Sequence, residues 1–216
     1  EISDSSAGMP GGGANIRYET NSVINLFIYN NLGGTGGYNG GGLGLEGCVS
    51  NVFIGIISNN RASGGAGLSI SSSTNCTILG QFIHNYSTSY GGGLSLDSGI
   101  SNIIDAVFTY NSNAGSVGGG AICLLSSSSN NFIGSNAVIA SNWSSGNGGG
   151  ITFYGSKNNT IMNGAYIVYN YSANGGGIAL IDNGGGVFST NNTIEAGANI
   201  SFNTATNFGG GIYMRT

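Results

Sequence analysis

Residues 148–177 read GGGITFYGSKNNTIMNGAYIVYNYSANGGG, and the chain repeats that sentence from end to end. It opens on a triple glycine at Gly148 and continues with two apolar residues one apart, Ile151 and Phe153. An Asn corner then leads to a lone Ile161, followed by Ile167 with Asn170 three positions on, and the next glycines begin at Gly175. Glycine runs open at Gly11, Gly40, Gly91, Gly118, Gly148, Gly175 and Gly209, with a degenerate copy, Gly65-Ala66-Gly67, between the second and third. Successive starts lie 29, 25, 26, 27, 30, 27 and 34 residues apart. A period in this range marks a solenoid or an array.

The other marks keep their places inside each period. The post-glycine pairs are Leu43 and Leu45, Leu68 and Ile70, Leu94 and Leu96, Ala121 and Cys123, Ile151 and Phe153, Ile178 and Leu180, Ile212 and Met214. Their alternation predicts a strand with one buried face. The lone apolar mark recurs at Val23, Phe53, Ile78, Ile104, Ile133, Ile161 and Ile194. The third mark pairs Phe27 with Asn30, Ile56 with Asn59, Phe82 with Asn85, Phe108 with Asn111, Ile139 with Asn142, Ile167 with Asn170 and Ile200 with Asn203. Three short strands per period, parted by Gly, Asn and Ser corners, predict an all-β fold: a parallel β-helix of about eight coils, each of roughly 28 residues. It is expected to form one domain over 1–216, with 1–10 and its Pro10 as an N-terminal cap or tail. Helical repeats are excluded by the 43 glycines, each of which would cost about 1 kcal/mol inside a helix. Coils stacked at about 4.8 Å align like residues into ladders. The Ile and Phe ladders form the core, and the Asn ladder bonds backbone groups at a corner.

Only 6% of the residues are charged, with four Lys and Arg against eight Asp and Glu. Without a basic stripe, nucleic acid is not an expected partner. No apolar run is long enough for a membrane span. A chain beginning at Glu1 rather than Met suggests a processed or trimmed product, and the expected location is secreted or at the cell surface. Cys123 is expected in the buried place held elsewhere by Leu96 and Leu180. Cys48 and Cys76, in corners one coil apart, are a candidate disulfide pair. Asn-x-Ser/Thr sequons occur at Asn75, Asn85, Asn142, Asn158, Asn170, Asn191 and Asn199, as a chain rich in Asn and Ser produces by chance, and at least two of these belong to the inward ladder.

A catalytic reading needs converging acids and bases. Glu46 and Asp97 share the outward row after the glycines, but Ser71 lies between them, which sets them about 9.6 Å apart. That exceeds the separation of the two carboxylates in inverting glycosidases, about 6.5–9.5 Å. Arg17, Arg61, Lys157 and Arg215 are spread from end to end, and His84 has no Ser, Cys or Asp partner in the repeat. No catalytic residue, metal site or cofactor is assigned, and the chain is read as a non-enzyme.

The outward positions carry the functional expectation. Beside the third mark lie Leu26 and Ile28, Gly55 and Ile57, Gln81 and Ile83, Val107 and Thr109, Val138 and Ala140, Tyr166 and Val168, Asn199 and Ser201, with no charge among them. Past the Asn ladder runs a row of Ala62, Thr88, Ala114, Ser145, Ala173 and Thr206, flanked by Tyr86, Trp143, Tyr171 and Thr204. The surface-binding set is Ile28, Ile57, Ile83, Thr109, Ala140, Val168, Ser201, Thr88, Ser145 and Thr206. A rigid, regular, uncharged plane suits the ice lattice, where a charge would have to be desolvated. The exposed aromatics Tyr86, Tyr110, Trp143, Tyr166, Tyr169 and Tyr171 suit a host-cell or glycan surface. Open sheet edges and uncharged faces also allow end-to-end or face-to-face self-association.

The paired motifs, Gly118 to Ala121, Gly148 to Ile151 and Gly175 to Ile178 with Phe82 to Asn85, Phe108 to Asn111 and Ile139 to Asn142, resemble the GGA[ILV] and FxxN repeats of polymorphic outer-membrane proteins. These are β-helical passengers of bacterial autotransporters. The resemblance covers nearly the whole chain and implies a right-handed β-helix, export and adhesion. Gly stands here where that family commonly has Ala as the third residue. The chain is also similar to β-solenoid ice-binding (antifreeze) proteins in size, low charge and stacked uncharged faces, although only Thr204 and Thr206 show their Thr-x-Thr spacing. The first functional reading is ice binding. The alternatives are a surface adhesin and a polysaccharide lyase or hydrolase.

Overall fold

The computed structural model describes residues 1–8, 11–34 and 40–215. They form an all-β parallel solenoid of about six turns, without a helix. Each full turn has three sides. The glycine-side sheet holds eight strands, from Ala14–Arg17 and Leu43–Glu46 to Ile212–Arg215. The broad sheet holds thirteen, and the narrow sheet holds six, from Arg61–Gly64 to Thr204–Phe208. The expected second and third strands of a coil turn out to be two halves of one side, the broad sheet. Val23–Tyr29 and Val52–Ser58 cross it unbroken. Later coils break between the halves, as at Ile133 and Ile139, where Ala137 N donates to Gly134 O (3.1 Å) across a turn. The third side is formed by the residues after the Asn corner.

Glycine marks where coils crowd. Gly148 has φ +53°, and a Cβ on Gly149 would lie 2.5 Å from the Gly176 carbonyl oxygen of the next coil. Only a residue without a side chain fits such an approach. The interior is filled by the aliphatic and aromatic ladders, including Phe82 stacked on Phe108 at 4.6 Å and 10°.

The Asn ladder is continuous and fully bonded. In each step the side chain's oxygen accepts twice and its nitrogen donates twice. Asn85 Nδ2 and the Asn85 backbone N both donate to Asn111 Oδ1 at 3.0 Å, and Asn85 Nδ2 also donates to Ile57 O at 2.9 Å. The same pattern runs from Asn31 through Asn60, Asn142 and Asn170 to Asn203. An amide used in this way leaves no buried polar atom unpaired. A second ladder, unforeseen from the sequence, joins Asn102, Asn131, Asn159 and Asn192 at the corner between the glycine-side and broad sheets, each step 3.0 Å.

The register of the first two coils differs from expectation by one residue. The ladder members are Asn31 and Asn60, where Asn30 and Asn59 were expected, and the core residues are Ile24, Ile28 and Ile57, where Val23, Phe27 and Ile56 were expected. Ile28 is 0% exposed and Phe27 54%. The physical reason is the backbone conformation just ahead of the ladder, which has φ +57° at Asn30 and +54° at Asn59. Asn is among the few residues that tolerate this left-handed region, which otherwise costs about 1–2 kcal/mol per residue. In Asn30-Asn31 and Asn59-Asn60, the first Asn takes that conformation and the second enters the ladder. A one-residue slip of this kind turns every side chain to the opposite face.

A second slip occurs after Gly118, where Ile122 and Leu124 pair with Leu94 and Leu96. Cys123, expected in line with Leu96 and Leu180, instead lies in line with Ser95 and Thr152, and it is still fully buried. Cys48 and Cys76 are free thiols and form no disulfide. The Cys76 Sγ lies 3.7 Å from the Cys48 carbonyl oxygen. Of the sequon residues, Asn85, Asn142 and Asn170 are buried in the ladder, whereas Asn75, Asn158 and Asn191 are exposed. The expected cap, 1–10, falls partly outside the described residues. Within it, Ile2–Ser3 pairs with the strand Val23–Tyr29.

Two outcomes follow. Asn60→Gly should lower stability by about 1–3 kcal/mol, because it strips the ladder of a buried donor and acceptor, while Asn59→Gly should leave stability unchanged or slightly raised. Denaturant melts of the two variants decide between the registers, since the other register predicts the reverse order. Burial also pushes the Cys123 and Cys76 thiols above their ordinary value of 9.0. Folding thus favours the protonated thiols, and their contribution is complete below pH 9. It falls as pH rises through that value, where only the unfolded chain loses protons, by about 1.4 kcal/mol per pH unit for Cys123. Cys123→Ala should flatten this alkaline loss in melts taken across the same range.

Candidate binding faces

Strand register sets the outward rows. On the broad sheet the row beside the Asn ladder is Tyr29, Ser58, Ile83, Thr109, Ala140, Val168 and Ser201. Next to it run Phe27, Ile56, Gln81, Val107, Val138, Tyr166 and Asn199, and beyond the bend Val23, Val52, Thr77, Ile103, Phe132, Thr160 and Thr193. None of these residues is charged. The charges on this side are Glu1, at the first strand, where its carboxylate accepts from the Tyr29 hydroxyl, and Asp105 and Glu195, which sit at the bend and are engaged locally. Asp105 accepts from the Asn136 backbone and side-chain nitrogens at 2.8 and 2.9 Å, and Glu195 accepts from Asn163 N at 2.8 Å.

Ile83, Thr109, Ala140 and Ser201 stand on the outer row as expected and are half-buried. Val168 is on the same row but only 7% exposed, which leaves little of it for a ligand. Ile28 and Ile57 do not belong to the surface. The register shift puts both in the core, and Tyr29 and Ser58 take their places outside.

On the narrow sheet Thr88, Ser145 and Thr206 are exposed, as expected. Ala62 is turned inward, in line with Ser87, Asn113, Ser144, Ser172 and Ala205. The adjoining outward row is Arg61, Tyr86, Ser112, Trp143, Tyr171 and Thr204. Arg61, counted in the sequence only among the scattered bases, belongs to this row, and its guanidinium lies over the Tyr86 ring at 4.7 Å.

On the glycine side Arg17 and Glu46 form an exposed pair at 2.8 Å. Glu46 and Asp97 each pair in register with Ser71, so they are two coils apart. Burial raises the Asp97 carboxyl above its ordinary value, opposed by hydrogen bonds from Ser98. Among the described residues no three His, Cys, Asp or Glu side chains gather as a metal site. No described helix is long and apolar enough to cross a membrane.

No protein-family model matches the chain, and no curated protein or solved structure matches it significantly.

The revised broad face can be checked with thiol chemistry. Cys48, Cys76 and Cys123 are all 0% exposed and should resist labelling in the folded protein. Phe27→Cys should label within minutes under native conditions, and Ile28→Cys only as the protein unfolds. The opposite order would restore the uncorrected register.

Proposed function

We propose that the protein binds ice through the outer face of the broad sheet. The observation that carries this reading is the set of three outward rows, each crossing seven strands of one hydrogen-bonded sheet without a charge. A lattice plane is met by many weak contacts at constant spacing, and a parallel sheet repeats at about 4.8 Å between strands. Thr77, Thr109, Thr160 and Thr193 offer methyl and hydroxyl groups together, while the aliphatic neighbours avoid the penalty of desolvating a charge. The protein is read as a non-enzymatic, secreted or cell-surface molecule. Its solenoid is read as right-handed, in keeping with the hand of parallel crossovers, with eight coils as the eight strands of the glycine-side sheet suggest.

A second reading, a surface adhesin, is favoured by one specific observation, the exposed aromatics between the broad and narrow sheets. The third, a polysaccharide lyase or hydrolase, draws no support from the rows, because Glu46 and Asp97 lie two coils apart.

Thermal hysteresis with ice-crystal shaping tests the first reading. Thr109→Lys, at the middle of the face, should abolish most of the activity without lowering the melting temperature by more than a few degrees. No hysteresis from the parent protein at high concentration would contradict the reading, and full activity in Thr109→Lys would move the site to another face.

A further inference from the structure

Two corners of the solenoid use the same backbone device. Immediately before each ladder residue the chain takes φ between +54° and +58°. At the corner between the glycine-side and broad sheets this position is filled by Asn or Ser in every coil, from Asn21 to Asn191. At the corner between the broad and narrow sheets it carries His84, Tyr110, Tyr169 and Phe202, with Asn30, Asn59 and Ser141 in the remaining coils.

The first corner serves as an internal control, since Asn and Ser satisfy the same conformation there. A bulky residue at positive φ is a genuine outlier, so the backbone does not require the rings. Strand preference does not explain them, because this conformation is not extended. Core packing does not either, because Tyr110, Tyr169 and Phe202 are 58%, 60% and 71% exposed. Strained conformations held at exposed positions point toward function.

The rings form an interrupted column. His84 stacks on Tyr110 with centroids 5.1 Å apart and planes 14° apart, and Tyr169 stacks on Phe202 at 5.1 Å and 10°. Ser141 breaks the series, leaving Tyr110 and Tyr169 two coil steps apart, about 9.6 Å at the spacing of parallel strands. That is the separation at which one further ring continues the stack. Trp143, two residues past Ser141 on the same coil, is exposed on the narrow-sheet side, in register with Ser112 and Tyr171.

We infer that the slot over Ser141 is a subsite for one pyranose ring of a neutral, extended polysaccharide, sandwiched between Tyr110 and Tyr169 and flanked by Trp143. The site rests on the second functional reading, the adhesin, and is independent of ice binding. Parallel ring faces select a flat guest with C–H groups on its faces. The tyrosine and serine hydroxyls and the indole N–H supply hydrogen bonds at its edges. Lys157 is the only charged residue between Ala106 and Ile181, and it lies at the other corner. At the slot an acidic glycan or a nucleic-acid backbone would therefore meet no countercharge, since Arg61 stands three coils from Trp143 along the narrow-sheet row. The aromatics of this corner recur over five coils, from His84 to Phe202, which fits a ligand that repeats along one axis better than a single protruding side chain of a protein partner.

The chain has a single tryptophan, so the fluorescence of Trp143 reports on the slot directly. Titration with cellohexaose, maltohexaose, xylohexaose and mannohexaose should give a saturable shift with at least one of them. Tyr110→Ala and Tyr169→Ala should each weaken that binding at least tenfold. Ser141→Tyr, which completes the column, should remove it, and Ser141→Gly should keep it. Melting temperatures of the exposed-site variants should stay near the parent value. No saturable shift with any of the four sugars would overturn the proposal. So would binding that survives Ser141→Tyr unchanged, or a response confined to oligogalacturonate or to a tryptophan-bearing peptide. Failure of the ice reading leaves the titration unaffected, because that face lies on the broad sheet.

Discussion

The Asn ladder between the broad and narrow sheets is the interaction on which the rest of the molecule depends. Each amide is satisfied by the same group in the next coil, so the corner works only when successive coils stack in register. Asn111, for example, receives the Asn85 backbone and side-chain nitrogens and passes its own side-chain nitrogen to Asn142 Oδ1 at 3.1 Å. A buried amide with one partner removed leaves groups that cost about 1–3 kcal/mol each. The residue before the amide must adopt positive φ, and the residue after it begins the narrow sheet. Every outward row on both sheets is therefore aligned by this one column.

This alignment lets side chains of one kind accumulate along a straight line. Arg17, Glu46 and Asp97 line up in one outward row of the glycine side, whereas three outer rows of the broad sheet cross seven strands without a charge. A scattered surface would show no such separation. Large exposed apolar faces mark interaction surfaces. The first two readings assign different guests to different sides, a lattice to the broad sheet and a sugar chain to the ringed corner.

Much of this was legible in the sequence, and the failures have a common cause. The glycine runs and the Leu-x-Leu pairs are unambiguous because each fixes its own phase, and they set the glycine-side sheet correctly for most coils. Misreading arose where letters were doubled. FIYNN at 27–31 and IISNN at 56–60 each contain two phases of the Phe/Ile-to-Asn spacing, and GGGAIC at 118–123 allows two placements of the glycine turn. The resolving signal was present, since a doubled Asn supplies first the positive-φ residue and then the ladder residue. The second ladder was hidden because Cys76 takes one of its places, donating its backbone nitrogen to Asn102 Oδ1 at 2.9 Å. The narrow sheet was read as a surface rather than a strand because pieces such as Ser112–Asn113 are short and polar, without apolar alternation.

The central claim, that the broad sheet recognises ice, is tested most directly by partition during slow freezing. Labelled protein in a dilute solution is exposed to a growing ice hemisphere, and its concentration is measured in the solid and in the remaining liquid. The account predicts enrichment in the ice, with Thr109→Lys left in the liquid like an ordinary solute. Exclusion of the parent protein from the ice to the same degree as that variant would contradict it.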